Sequence, residues 1–337
     1  MRKRYRNYPP EVRDMDGVKS KIIAISISVM VLAMIAAAAL GLTAMKAAEK
    51  REANQMLFLM CETGQKNLDS YFKSVEQSVA MVSAYVESDL NGLEEDKLAA
   101  HLARVRSIFN MMVYRTNGFL TYYYRIDPSV SKNVKGFWYV YNGEGIVEHE
   151  VTDISSYDVR DTSKLVWFTV PRASGRPVWL PPYVTENLGA RVVSYNVPVF
   201  YQGTFVGVIG IELDYFQMAN IVNNITVYEN GYAFINDENG KIIYHPRMDV
   251  TTMAEQPEVP RGLLSNYNLI NYTYEGVEKR AVWLPLSNGM RLNITVPVEE
   301  LDADWRSWGI KICIVYAVLI LFFAVIIKIL VGRAIPD

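Results

Sequence analysis

Three histidines are the only imidazoles in the 337 residues, and His101, His149 and His245 stand far apart with no cysteine or patterned carboxylate beside them. Zinc needs such ligands gathered at short spacing, so no metal site is expected. The acids Glu148, Glu150, Asp153, Asp158 and Asp161 crowd one stretch. They lack the Asp-x-Asp-x-Asp-Gly order of a calcium loop and read as solvated loop acids. G-x-S-x-G, the phosphate loop and H-E-x-x-H are all missing from the sequence, so the chain is not expected to be an enzyme, and no cofactor is expected. What remains is aromatic. Tyr122, Tyr123 and Tyr124, with Phe137, Trp138, Tyr139 and Tyr141, offer flat faces that fill a core or wall a cavity. Most are expected to pack, with Tyr123 and Trp138 the two that reach a pocket.

The elements that must position these residues follow from periodicity. From Ala47 to about Leu90 the chain is rich in helix formers, and Leu68, Phe72, Val75, Val79, Val82 and Val86 make a stripe spaced by three and four. Such a seam packs on its own domain or pairs with the same helix of a second copy, and both uses stay open. Leu98, Leu102, Val105, Phe109 and Met112 mark a second helix with an acidic first turn. Aromatic and β-branched residues then predict strands at 119–126, 136–141, 191–201 and 205–213, the last two joined at Gln202-Gly203. A helix is expected from Asp214 to about Tyr228. Further strands are expected at 232–236, 241–244, 269–274, 277–284 and 291–296, with Asn239-Gly240 supplying positive φ values to the first turn.

Net charge is only −2, which removes the simplest argument for a nucleic-acid partner. Charge is segregated instead, since both ends are basic and the middle is acidic. Two apolar runs separate these blocks, Ile22 to Met45 and a second centred on Ile312 to Ile327. The first, 24 residues long, rises about 36 Å as a helix, against a hydrocarbon core of about 30 Å. Trp305 and Trp308 suit the membrane interface, and Lys311 and Lys328 can snorkel from the second run. A cleaved signal peptide is the competing reading of the first run, but the run is longer than a usual h-region. Basic residues outside both runs predict a two-pass cell-membrane protein with cytoplasmic termini and residues 46–307 outside the cytoplasm. Cys61 and Cys313 fall in different compartments, so no disulfide is expected between them. Three Asn-x-Thr patterns, at Asn224, Asn271 and Asn293, read as chance occurrences.

An ordered series of motifs then resembles a known family. It runs through Trp167-Phe168, Gly175-Arg176-Pro177-Val178-Trp179, Pro182-Tyr183, Ser194-Tyr195-Asn196-Val197-Pro198-Val199 and Gly207-Val208-Ile209-Gly210-Ile211-Glu212. It resembles the membrane-distal module of double Cache (dCache_1) sensor domains of bacterial transmembrane receptors, and Gly231 to Pro246 looks like the start of their proximal module. The resemblance implies an α+β fold: a long N-terminal helix and two PAS-like antiparallel-sheet modules, flanked by two transmembrane helices. It divides the chain into a basic N-terminus (1–21), a first span (22–45), long helices with the distal module (46–228), the proximal module (229–307), a second span (308–331) and a cytoplasmic stub (332–337).

The family's amino-acid motif, anchored on Trp167, places Tyr183 sixteen residues on and Glu212 27 beyond Thr185. Arg160 stands at the motif's early Tyr, Leu165 at its carboxylate-binding Arg and Thr185 at its first amine-binding Asp. An aliphatic Leu165 cannot form the fork that grips a carboxylate, which leaves Arg160 as the nearby candidate. Glu212 remains to meet an ammonium, with Trp167 and Tyr183 as walls. The expected ligand is therefore a small extracellular organic solute, an amine ahead of a standard α-amino acid. Function is expected to be that of a receptor sensor, of the kind that feeds chemotaxis receptors, histidine kinases and diguanylate cyclases. It would act as a homodimer through the N-terminal helix, with a cytoplasmic transmitter missing from this chain. The alternative is a complete membrane-tethered binding protein acting through a separate partner.

Overall fold

The computed structural model describes residues 10–185, 187–253 and 255–334. It forms two compact units, one from Leu57 to Pro297 and one that joins the chain up to Met56 with the chain from Val298. The long helix α1, Pro10–Asp89, contributes to both.

In the larger unit the helical stripe does what its spacing demands. Leu68, Phe72, Val75, Val79, Val82 and Val86 are all fully buried within the chain. That face of α1 is therefore occupied within its own chain. α2, Glu95–Val113, buries Leu98, Leu102, Val105 and Phe109. Phe109 meets Tyr122 at a ring separation of 4.9 Å. Asp89, at the end of α1, ties the two helices together: it accepts from Arg104 Nε at 2.8 Å and Nη2 at 2.9 Å, and lies 2.7 Å from His101 Nδ1. The Arg104 hydrogen bonds, with help from His101, hold the Asp89 carboxyl down at about 2. A depressed carboxylate stabilises the fold above its ordinary value of 3.8 and loses that contribution as pH falls from there toward 2. Asp89→Asn is expected to cost about 2 kcal/mol at neutral pH, and in pulse proteolysis the gap from the parent should shrink as the buffer is taken below pH 4.

Two antiparallel sheets follow. The first comprises β1 (Phe119–Ile126), β2 (Gly136–Tyr141), β3 (Ile146–His149), β4 (Val178–Val184), β5 (Arg191–Tyr201) and β6 (Thr204–Asp214), in the order β3-β2-β1-β6-β5-β4. A nine-residue helix α3, Val166–Ser174, lies in the chain between β3 and β4. Helix α4, Tyr215–Asn223, is capped by Asp214, which accepts from Phe216 N, and is shorter than its apolar spacing suggests. The second sheet contains β7 (Tyr232–Asn236), β8 (Ile242–Tyr244), β9 (Leu269–Tyr274), β10 (Val277–Pro285) and β11 (Arg291–Pro297), in the order β8-β7-β11-β10-β9.

The turn chemistry is mostly as expected. Gln202 and Gly203 both take positive φ, 48° and 82°, the geometry that matches strand twist in a two-residue hairpin. At Asn239-Gly240 only the glycine does so. There the Asp237 carboxylate accepts from the Asn239 and Lys241 backbone amides and closes the turn through its side chain.

In the smaller unit, α5 (Val298–Leu301) precedes α6 (Ala303–Ala334). The apolar parts of α1 and α6 are long and apolar enough to cross a membrane, and side chains such as Leu32, Leu40 and Leu321 are exposed. Lys46 Nζ lies 4.9 Å from the Trp305 ring centre, and Lys311 Nζ 4.5 Å from that of Trp308.

Candidate ligand cavity

Side chains alternate along a strand, so Thr121, Tyr123 and Arg125 share one face of β1. The register sets Thr121 opposite Glu212 and Tyr123 opposite Gly210 on β6, while β5 brings Ser194 opposite Glu212 and Asn196 opposite Gly210. Gly210 is there because nothing larger fits: an added Cβ would lie 2.6 Å from Asn196 Oδ1 and 2.8 Å from the Tyr123 ring. β4 carries two prolines, tolerable at a sheet edge because no further strand needs their missing N–H groups. A register irregularity between Leu180 and Tyr183 accompanies them, with Tyr183 on the cavity wall.

Strands β1, β2, β4 and β6, the segment leading into α3 and the turn after β4 border a cavity of about 220 Å³. Its walls include Tyr123, Trp138, Leu165, Trp167, Tyr183, Thr185 and Glu212. Seven of the eight residues singled out in the sequence thus meet at one site. Arg160 is the exception. Its side chain is 86% exposed, the Asp158 carboxylate accepts from both its backbone amide and its guanidinium, and it is not among the lining residues.

Glu212 is 4% exposed and both its oxygens are engaged. Tyr183 OH donates to Oε1 at 2.6 Å and Thr121 Oγ1 donates to Oε2 at 2.6 Å. Burial pushes the Glu212 carboxyl above its ordinary value, while those two donors pull it back. Burial together with the neighbouring Glu212 charge holds Tyr183 and Tyr123 well above the usual phenol range, so both stay protonated donors. The network continues away from the carboxylate. Tyr183 OH also lies 3.2 Å from Ser194 Oγ, which accepts from Asn196 Nδ2 at 2.8 Å, and Tyr123 OH donates to Asn196 Oδ1.

Trp138, Leu165 and Trp167 add apolar and aromatic surface to the lining. Trp167 meets the Tyr123 ring edge-on at 5.0 Å. Leu165 turns the chain into α3 from a left-handed conformation, φ 45° and ψ 47°. For a non-glycine residue this costs about 1–3 kcal/mol, of the kind often kept at binding sites. Thr185 Oγ1 is buried with no hydrogen-bond partner among the described residues.

Two basic residues on the walls escape a motif-based reading. Arg125 is 3% exposed and is held by backbone carbonyls: Nε donates to Thr152 O at 3.1 Å, and Nη1 donates to Ile126 O at 3.0 Å and to Lys135 O. Burial lowers it to about 10, against the pull of Asp153 and Asp127. Lys164 also borders the cavity. The available signal for Arg125 was its two-residue offset from Tyr123.

A long helix with two antiparallel sheets, one of them bordering a partly open polar and aromatic cavity, is an α+β architecture. A family model for the Cache domain, dCache_1, matches residues 42–305, and the chain belongs to that family. Among solved structures, the extracellular domain of the putative histidine kinase mmHK1S-Z3 aligns with a TM-score of 0.56 at 17% identity, over 75% of this chain and 97% of that one. The ligand-binding domain of Mlp24 with asparagine aligns at 0.52 and 17% identity, over 78% and 99%. Methyl-accepting chemotaxis protein PscA of Pseudomonas syringae pv. tomato is 28% identical over 80 residues, 24% of this chain. That match spans only 13% of the relative's own length.

Proposed function

We propose that the chain is the sensory part of a membrane receptor and that its cavity takes a small extracellular solute by an ammonium group. The observation that carries this reading is the buried Glu212 carboxylate on the cavity wall, flanked by Tyr183 and the aromatic faces of Trp167 and Tyr123. A carboxylate already pushed up by burial gains most from a cation that restores its ionised form, and aromatic faces favour the same charge. Arg125 and Lys164 supply a basic pole on the same walls, in the role that neither Leu165 nor Arg160 fills. A solute with both an ammonium and a carboxylate fits that polarity, and the asparagine held by Mlp24 is of this kind.

Under this reading residues 46–307 lie outside the cytoplasm, with the basic ends inside. The module of the first sheet is membrane-distal and that of the second proximal, and two copies associate along faces of α1 other than the buried stripe. Ligand preference for one cavity geometry shifts a two-state equilibrium, and β11, which runs straight into α5 and α6 in the chain, passes the shift to a cytoplasmic transmitter.

The test is calorimetric titration of the full chain in lipid nanodiscs with amino acids, simple amines and neutral isosteres. Saturable binding confined to ammonium-bearing solutes is expected. Tight binding of neutral or purely anionic solutes, unchanged in Glu212→Gln, contradicts the reading. The pH dependence has a fixed sign: protonating Glu212 removes the counter-charge, so affinity falls on acidification. Because the free carboxyl sits above the ordinary 4.5, the fall begins at a higher pH than for an exposed glutamate.

A further inference from the structure

The second sheet encloses a smaller cavity of about 60 Å³. Its surroundings carry a polar feature that strand alternation does not predict. Lys279, Ala281 and Trp283 share one face of β10, and the last two belong to the apolar core with Tyr232, Phe234 and Ile270. Lys279 thus occupies an inward position and is 7% exposed. It pairs with no carboxylate among the described residues. Its ammonium donates to Tyr232 OH at 3.0 Å and lies 4.9 and 5.2 Å from the ring centres of Tyr232 and Tyr274, both of which border the cavity. A second cation, the exposed Arg247, covers Tyr232 at 4.5 Å.

The donor groups of two lining residues are fixed by their other bonds. His245 Nδ1 accepts from the Arg247 backbone amide, which leaves the proton of the neutral ring on Nε2. Burial, with Lys279 and Arg247 adding to it, lowers His245 to about 4, so the ring stays neutral. The Tyr232 hydroxyl oxygen accepts from Lys279, and its own proton is therefore available to donate. Met248, Val259 and Leu263 complete the walls with apolar surface, and one acid, the exposed Glu258, stands at the border. An empty core void is ordinarily apolar. Here two neutral donors are backed by a buried ammonium, which is the complement of a small anion with an aliphatic tail.

We propose that this second cavity binds a short aliphatic monocarboxylate, its carboxylate toward His245 and Tyr232 and its tail toward Met248, Val259 and Leu263. The volume admits only a few heavy atoms, which selects acetate and propionate over longer or aromatic acids. The chain then carries two cavities of opposite preference, one built around a buried carboxylate and one around a buried ammonium.

Met248 provides a reporter inside the proposed site. The full chain in lipid nanodiscs, labelled with carbon-13 on its methionine methyl groups, is titrated with sodium acetate and propionate, and separately with sodium chloride and benzoate. Met248→Leu assigns the resonance. The Met248 signal is expected to shift saturably with the two short carboxylates and to ignore chloride and benzoate. Lys279→Leu should weaken the effect at least tenfold, and Leu263→Phe, which fills the cavity, should abolish it. A Met248 signal unmoved by acetate in the parent protein overturns the proposal. So does an equal response to chloride, or a folded Lys279→Leu or Leu263→Phe variant that titrates like the parent.

Discussion

Glu212→Gln is expected to weaken binding of an ammonium-bearing solute by about 100-fold, the equivalent of one charge-assisted hydrogen bond in a desolvated site. The substitution keeps the size of the side chain and leaves an amide oxygen for Tyr183 or Thr121 to donate to, so the fold has little reason to suffer. What it removes is the negative charge. Its amide nitrogen also turns one accepting position into a donor, which sets it against either the Tyr183 hydroxyl or the Thr121 hydroxyl. A calorimetric titration separates the outcomes, because loss of affinity with an unchanged unfolding profile points to charge. Equal affinities for parent and variant at neutral pH contradict the assignment of Glu212 as the ammonium partner.

The second large effect is steric. Gly210→Ala adds a Cβ where Asn196 Oδ1 would be 2.6 Å away and the Tyr123 Cζ and hydroxyl 2.8 Å away. Neither neighbour retreats cheaply. Tyr123 is buried and packed edge-on to Trp167, and Asn196 is held between Tyr123 and Ser194. Relief requires Tyr123 to tilt into the cavity or the β1–β6 pair to part, at a cost of about 1–3 kcal/mol. Thermal unfolding should therefore come earlier and solute binding should be lost together with it. Gly145→Ala is the paired control for backbone effects, since like Gly210 it lacks a positive φ but has open space around its Cβ. Gly210→Ala binding like the parent would show that the cavity does not depend on the position of Tyr123.

These two residues also illustrate what was legible in the sequence. The buried stripe of α1, the main strands and the hairpin at Gln202-Gly203 follow from spacing and turn chemistry, because burial on one face enforces a period. β3 lacked that signal: it is a four-residue edge strand, largely exposed, and nothing selects its side chains. β4 was not among the expected strands: it contains Pro181-Pro182, which cannot donate to a ladder and are tolerated because the strand lies at the sheet edge. α3 is short and holds Pro171. At the cavity, the resemblance to the Cache family supplied Trp167, Tyr183, Thr185, Leu165 and Glu212, all of which reach the same space. Arg160 does not line it, since proximity in sequence to Leu165 is no guide to direction and its guanidinium donates to Asp158. Arg125 lies inside the expected strand 119–126, but its burial depends on carbonyl acceptors from Thr152, Ile126 and Lys135 that no sequence pattern marks.

The whole account depends on the larger unit facing the medium that carries the solute. Glu238→Cys places a thiol in the exposed turn between β7 and β8, while of the two native cysteines Cys61 is buried and Cys313 lies in the apolar part of α6. Treating intact cells with a membrane-impermeant maleimide should label this variant at once and leave the parent nearly unlabelled. Labelling that appears only after the cells are permeabilised would put the cavity on the cytoplasmic side and contradict the receptor reading.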